Sequence, residues 1–273
     1  MALQMLPRFM RVLGELRYEP TAKRIRGLVG GEVAVDSTRA LLVWEPRRVV
    51  PNYAVPIQDV LGDLVPAPET SVSGRPVQLA AGWPSVYDPR TPFALHTTDG
   101  EPLTLRAGDS EREDAAFRPA DPDLSRYVVL DFAAFDTWLE EDEEVVSHPP
   151  DPFHRVDVRR SSRHVRVERD GELLAESRRP TLVFETSLPV RTYLPPDDVR
   201  LDLLESSPTR TACAYKGHAT YRSFGTRVAD IAWSYERPLP DAAQLAGLIA
   251  FFDERVDLTV DGAKQARPVS PWS

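Results

Sequence analysis

A chain of 273 residues, 42% hydrophobic and 27% charged, has the material for one large domain or two of ordinary size. Its net charge of −9 excludes an electrostatic grip on nucleic acid or on an anionic membrane, either of which needs clustered Lys and Arg. The single cysteine, Cys213, excludes a disulfide framework and a cysteine-based zinc site, and it points to a reducing cytoplasm.

The first sixteen residues carry Leu3, Leu6, Met10 and Leu13, interrupted by Arg8 and Arg11, and no later run reaches ~18 apolar residues. They read as a short amphipathic helix, not as a signal peptide or membrane span. The pairs Arg47-Arg48, Arg159-Arg160 and Arg178-Arg179 lie among acids and read as solvated edges. Three lysines (Lys23, Lys216, Lys264) in a total of 33 basic residues suggest a GC-rich bacterial genome, which makes each lysine more informative.

Sliding the chain against itself by 140 residues lays Arg24–Tyr53 over His164–Tyr193. Arg26, Gly31, Glu32, Ser37, Arg39, Leu42, Val43, Glu45, Val50 and Tyr53 then meet identical residues. Further on, Ala134-Phe135-Asp136 meets Phe251-Phe252-Asp253 at an offset of 117, so the first copy carries an insertion. The Pro-, Gly- and Ser-rich stretch 65–92 is its expected place, as a surface loop. Pro149-Pro150-Asp151-Pro152 cannot continue a helix or central strand, which divides the chain into repeats 1–148 and 149–273.

In the second repeat, Val156 and Val158, then Val165 and Val167, alternate with charged residues and predict strands. Asp170-Gly171 is a hairpin-turn signal, matched by Gly30-Gly31 in the first repeat. Strands are expected over 173–177, 181–185, 197–204, 211–215 and 219–224, with Lys216-Gly217 at a turn. Ile231, Trp233 and Tyr235 should share one strand face. Asp241 predicts the N-cap of a helix with Leu245, Leu248, Ile249 and Phe252 on one side. Val256, Leu258 and Val260 close the repeat, and the tail 264–273 looks frayed.

The string Cys213-Ala214-Tyr215-Lys216-Gly217, followed by Ala219, Tyr221, Trp233-Ser234-Tyr235 and Pro238, resembles the family known as domain of unknown function 427. Gly171, Ser177, Arg179, Glu185, Tyr193, Pro195 and Asp198-Val199 fit the same family. The resemblance covers 154–262, and only the opening half of the first repeat shares it. Ala214 departs from the family's usual proline. The resemblance implies a mainly β protein: two tandem β-tent-like domains of antiparallel sheets, each with one short helix, from internal duplication. β-Tent relatives bind zinc through paired Cys-x-x-Cys knuckles, which one cysteine cannot supply, so no metal and no cofactor are expected. The family has also been labelled as similar to nucleotidyltransferases, whose chemistry needs a Gly-Ser element and magnesium-binding carboxylates. Asp121-Pro122-Asp123 has that look without the Gly-Ser partner.

The chemistry-bearing residues gather in the second repeat. Lys216, Glu185, Tyr193 and Cys213 are the candidate catalytic groups, and Arg179, Tyr215, Tyr221, Trp233 and Tyr235 the candidate ligand contacts. A desolvated lysine amine has a lowered pKa and attacks carbonyls; a charged one holds a carboxylate or phosphate. Glu185 would serve as acid or base, with Tyr193 or Tyr235 as donor. The bland readings are an exposed Lys-Gly turn, core aromatics and a buried thiol. Ser177, Arg179 and Glu185 recur as Ser37, Arg39 and Glu45, which favours a structural role. At the offset of 117, His96 stands over Cys213 and Asp99 over Lys216, while Trp233 has only Phe117 near it. His148 and His154 lack a third metal ligand. The expected function is small-molecule binding or metal-independent catalysis in the second repeat. The alternatives are an interaction or structural module, and nucleotidyl transfer. A pseudo-dimeric monomer or a homodimer is expected.

Overall fold

The computed structural model describes residues 2–68 and 70–273. Two compact units emerge: Met1–Val77 with Pro84–Asp151, and Gln78–Trp83 with Pro152–Ser273. The first opens with helix α1 (Met5–Arg11) and strands β1 (Arg17–Pro20), β2 (Ile25–Val29), β3 (Glu32–Ser37) and β4 (Leu41–Trp44). It continues through β5 (Asn52–Pro56), β6 (Asp63–Pro66), β7 (Gly100–Ala107) and β8 (Ser110–Pro119). β9 (Tyr127–Leu130), β10 (Thr137–Glu140) and β11 (Glu143–Val145) complete it. The second unit runs β12 (Val156–Arg160), β13 (Val165–Arg169), β14 (Glu172–Ser177), β15 (Thr181–Glu185) and β16 (Arg191–Leu194). β17 (Glu205–Cys213), β18 (Gly217–Phe224), β19 (Val228–Ser234), β20 (Ile249–Phe251), β21 (Asp257–Val260) and β22 (Ala263–Lys264) follow. No helix among the described residues is long and apolar enough to cross a membrane.

The protein is mainly β, and its two halves have one topology. The seven-stranded sheets run β1-β4-β5-β9-β8-β7-β6 and β12-β15-β16-β20-β19-β18-β17. The four-stranded sheets run β11-β10-β2-β3 and β22-β21-β13-β14. Each strand of the first unit thus has a counterpart in the second, as internal duplication requires. In each unit one apolar cluster lies between the two sheets, around Ile25, Tyr53 and Trp138 in the first and Val165, Leu194 and Phe251 in the second. A smaller cluster covers the other face of the seven-stranded sheet.

The hairpin signals hold: Gly30 and Gly31, like Asp170 and Gly171, have positive φ. Several expectations fail for physical reasons. The stretch 197–204 folds into 3₁₀ turns (Pro196–Asp198 and Leu201–Leu203), not a strand. The helix from Asp241 is only a 3₁₀ segment (Pro240–Leu245), after which Gly247 at φ 70° turns the chain and Ile249–Phe251 becomes a central strand. The one short helix expected late in the second repeat is therefore a 3₁₀ helix rather than an α-helix, and it ends at Leu245. The tail is anchored, not frayed: Ser270 is buried and bonds Glu254, and the Trp272 ring lies under the Arg191 guanidinium at 5.2 Å. The insertion falls between β6 and β7. Arg48, read as a solvated edge, is buried and donates to the carbonyls of Pro92 and Leu95 at 2.7 Å, pinning that insertion.

Strand register sharpens the comparison of the units. Gly27 pairs with Trp138, and a Cβ there would meet Phe135 at 2.7 Å and Trp138 at 2.9 Å. The counterpart pair is Val167 with Leu258. Side-chain bulk at Val167 in one unit is thus exchanged for ring bulk at Trp138 in the other. Gly27→Ala is expected to cost about 1–3 kcal/mol through overpacking, read as a lower urea midpoint at unchanged slope.

Candidate functional site

The site is built on the face of the second seven-stranded sheet turned away from the four-stranded one. Side chains alternate along β15 and β16, so Val183, Glu185 and Tyr193 share that face. Trp233 and Tyr235 join them with Phe252, beneath the 3₁₀ segment that carries Ala242 and Leu245. Gly217, at φ 88°, makes the tight β17–β18 turn and sets Lys216 just ahead of β18.

Lys216 is buried, and its Nζ lies 2.5 Å from Glu185 Oε2. The other carboxylate oxygen, Oε1, meets His154 Nε2 at 3.1 Å, and the His154 ring stacks on Tyr215 at 4.5 Å. His154 comes to Glu185 because β12 pairs Val156 with Glu185. Burial pushes the Glu185 carboxyl up, but attraction to Lys216 and the hydrogen bonds from His154 and Lys216 outweigh it, leaving the pKa at about 2. For Lys216, burial alone would lower the pKa, yet the charge of Glu185 raises it above the ordinary lysine value. Of the two readings open for this amine, the direction favours the charged one that holds a carboxylate or phosphate. The ammonium stays charged, and the nucleophile reading loses its basis.

Around the pair stand groups with polar tips and ring bodies. Trp233 Nε1 donates to the Tyr193 hydroxyl at 3.0 Å, and among the described residues the tyrosine's own O–H donates to no group. Burial pushes the Tyr193 phenol up to about 12, and burial with the nearby charges of Tyr193, Cys213 and Glu185 raises Tyr235 well above its ordinary value. Tyr221 shares a 2.8 Å hydrogen bond with Thr211 and stacks against Phe252. Cys213 is a half-buried free thiol near enough to Lys216 to act on its pKa. Ile231 does not share the Trp233 face: Asp230, at φ 50°, displaces the register and puts Ile231 in the cluster between the sheets.

Arg179 lies elsewhere. It donates to Asp198 at 3.1 Å, as does Ser177 at 2.6 Å, and in the first unit Arg39 and Ser37 bond Asp59 at 2.6 Å in the same way. The recurring arginine and serine therefore fasten a 3₁₀ turn, not Glu185. Asp121 caps a turn by accepting from the Asp123 N–H, so this acidic pair is spent on local structure. No group of three metal-ligating side chains occurs among the described residues.

The first unit shows what this face does without the lysine. Leu103 faces Ala116 as Arg222 faces Ala232, so along this strand the offset is 119 rather than 117. Thr97, not Asp99, is then the counterpart of Lys216, and His96 that of Tyr215. The Thr97 N–H bonds Glu45 at 2.7 Å and His96 Nδ1 lies 3.0 Å from the same carboxylate. Leu42 pairs with Tyr53 as Leu182 pairs with Thr192, so Tyr53 and Tyr193 are not counterparts either. Ala54 stands in the Tyr193 position.

Residues 157–262 match the model of a protein family described as domain of unknown function (DUF427). The second unit is thus similar to the DUF427 family over these residues. No curated protein matches the chain. The match covers every strand of the second unit from the body of β12 to β21 and includes Lys216, Glu185, Tyr193, Trp233 and Tyr235. His154, which sequence reasoning weighed only as a metal ligand, lies just before it. The missed signal was its distance of two residues from Val156, the strand partner of Glu185.

Proposed function

We propose that the second unit binds a small organic molecule, taking its oxygen acceptors on Lys216, Tyr193 and Tyr235. One observation supports this above the rest: the fold closes the same glutamate in the first unit with a backbone N–H, an imidazole and, at 3.9 Å, the Arg48 guanidinium, without placing any lysine on it. A buried ion pair is not a cheap staple, since desolvation offsets its Coulombic gain. In the second unit the Lys216 ammonium has three donors and gives one to Glu185 among the described residues. Among the described residues the Tyr193 O–H donates to no group, and the Tyr235 hydroxyl has no hydrogen-bond partner. Convergent donors within aromatic walls suit a carbonyl or carboxylate of a compact ligand. The neutral Lys216–Glu185 pair favours binding over amine catalysis.

A thermal-shift screen of carbonyl and carboxylate metabolites on wild type and Lys216→Met tests this. A ligand at about 100 times its Kd should add about 2.7 kcal/mol to wild type and little to the variant. A second reading, an interaction module in which the glutamate is only structural, draws on the persistence of Glu45 and Glu185 in both units. Equal shifts in both proteins, or no shift with any compound, would favour it.

A further inference from the structure

We infer that the second unit has a second ligand site, for an aromatic carboxylate, in a cleft on the opposite face of the same sheet. The cleft, of about 290 Å³, opens between the two sheets and is lined by Arg163, Val165, Leu182, Thr192, Leu258 and Val260. Phe184 and Asp253 also face it, and Phe184 is 43% exposed.

The first unit supplies an internal control, because there the same space is filled. Register pairs Tyr53 with Thr192, Trp138 with Leu258 and Glu140 with Val260 as counterparts. The turn bonds Asp131 N–H to Ala115 and Phe252 N–H to Ile231 likewise set Phe132 against Asp253. Tyr53, Phe132 and Trp138 form one ring cluster, with centroids 5.1 to 6.4 Å apart. The Tyr53 hydroxyl donates to Glu140 at 3.0 Å, and Glu140 also holds Lys23 in an ion pair. The second unit keeps only the cation of this set. Arg163 replaces Lys23, while threonine replaces the tyrosine ring and valine replaces the carboxylate.

Two things are therefore absent together: a ring and the carboxylate that would neutralise the cation. The Arg163 guanidinium has no side-chain or backbone partner among the described residues. A molecule carrying a phenyl ring and a carboxylate restores both, the ring over Leu182 and Leu258 and the carboxylate on Arg163. Asp253 does not oppose it, since its charge faces Arg191 at 3.5 Å. Val167 stands in place of Gly27, so part of the bulk that Trp138 supplies in the first unit comes here from the facing strand.

The test is isothermal calorimetry of the full chain with phenylacetate, with benzyl alcohol and acetate as ring-only and carboxylate-only probes. Phenylacetate should bind at least about tenfold more tightly than either, and Arg163→Met should weaken it by about tenfold or more, as loss of a charge-assisted hydrogen bond does. Thr192→Tyr with Val260→Glu rebuilds the plug of the first unit and should abolish binding while the protein remains folded by circular dichroism. Arg179→Met, which loosens only the Asp198 turn outside both sites, should leave phenylacetate binding unchanged, which separates loss of this site from a general loss of stability. Absence of phenylacetate binding, or binding indifferent to both Arg163→Met and the rebuilt plug, would overturn the inference.

Discussion

Lys216→Met is expected to lower the unfolding free energy at neutral pH by about 3–5 kcal/mol, because it strands a buried carboxylate. Both side chains of the pair are 9% exposed, so solvent screening does not shrink the effect. The pH dependence carries the sharper signature. In wild type the Glu185 pKa is depressed, so its contribution is present above the ordinary value of 4.5 and is lost as pH falls from there through about 2. The raised Lys216 pKa contributes below its ordinary value of 10.5, and that share is lost only as pH rises beyond it. Stability from the pair is thus flat from about pH 5 to 10. In the variant, burial acts on Glu185 with the His154 ring as its remaining side-chain contact among the described residues. Its carboxyl should rise, and stability should increase on acidification from pH 7 to 5. Urea titrations at both pH values read the difference. Lys216→Met/Glu185→Gln should lose less than Lys216→Met alone. Equal losses at both pH values, together with additive single effects, would remove Lys216 from its role as the counter-charge.

The contrast between what could and could not be read from the residues has a simple physical basis. Alternation exposes strands that have one wet face, which is why Val165, Val167, Leu258 and Val260 were legible. It fails for strands buried on both faces. Ile249–Phe251 lies between β16 and β19, and with Leu245 and Leu248 its apolar run imitates a helical stripe. Pro240 and Gly247 were the signals against a helix. The candidate site was legible as a list of residues, since Lys216, Tyr193, Trp233 and Tyr235 do share a face. Its electrostatics were not, because Glu185 and His154 reach Lys216 through strand pairing across 31 residues or more. The identity of Tyr53 with Tyr193 misled for a related reason. The β4–β5 connection is one residue longer than its counterpart, and a one-residue slip sends a side chain to the other face. Tyr53 consequently fills the space between the sheets, whereas Tyr193 lies beside Lys216.

Arg191→Met should rival the loss of Lys216, again by about 3–5 kcal/mol, with the opposite lesson for the C-terminal tail. The Arg191 guanidinium is 6% exposed, binds both Glu254 oxygens at 2.6 and 3.0 Å, and lies 3.5 Å from Asp253. It also stacks over Trp233 and Trp272, at 5.8 and 5.2 Å. Its counterpart in the first unit is Asn52, so this network belongs to the second unit alone. Burial raises the Asp253 carboxyl to about 6, with Arg191 pulling against it. An acid raised in the folded state binds protons the unfolded chain does not, so Asp253 stabilises the fold as pH drops from 7 towards 4. Glu254 is the opposite case: burial acts upward, but the hydrogen bonds and charge of Arg191 hold it below its ordinary value. Without Arg191 both acids are left to burial, and stability should recover as pH is lowered from 7 to 5. Ser270 and Trp272 lose their anchor at the same time. Limited carboxypeptidase digestion should then remove the tail from the variant at neutral pH and spare it in wild type. A variant equally resistant at both pH values would show that the tail is held by Phe252 and Glu254 without the guanidinium.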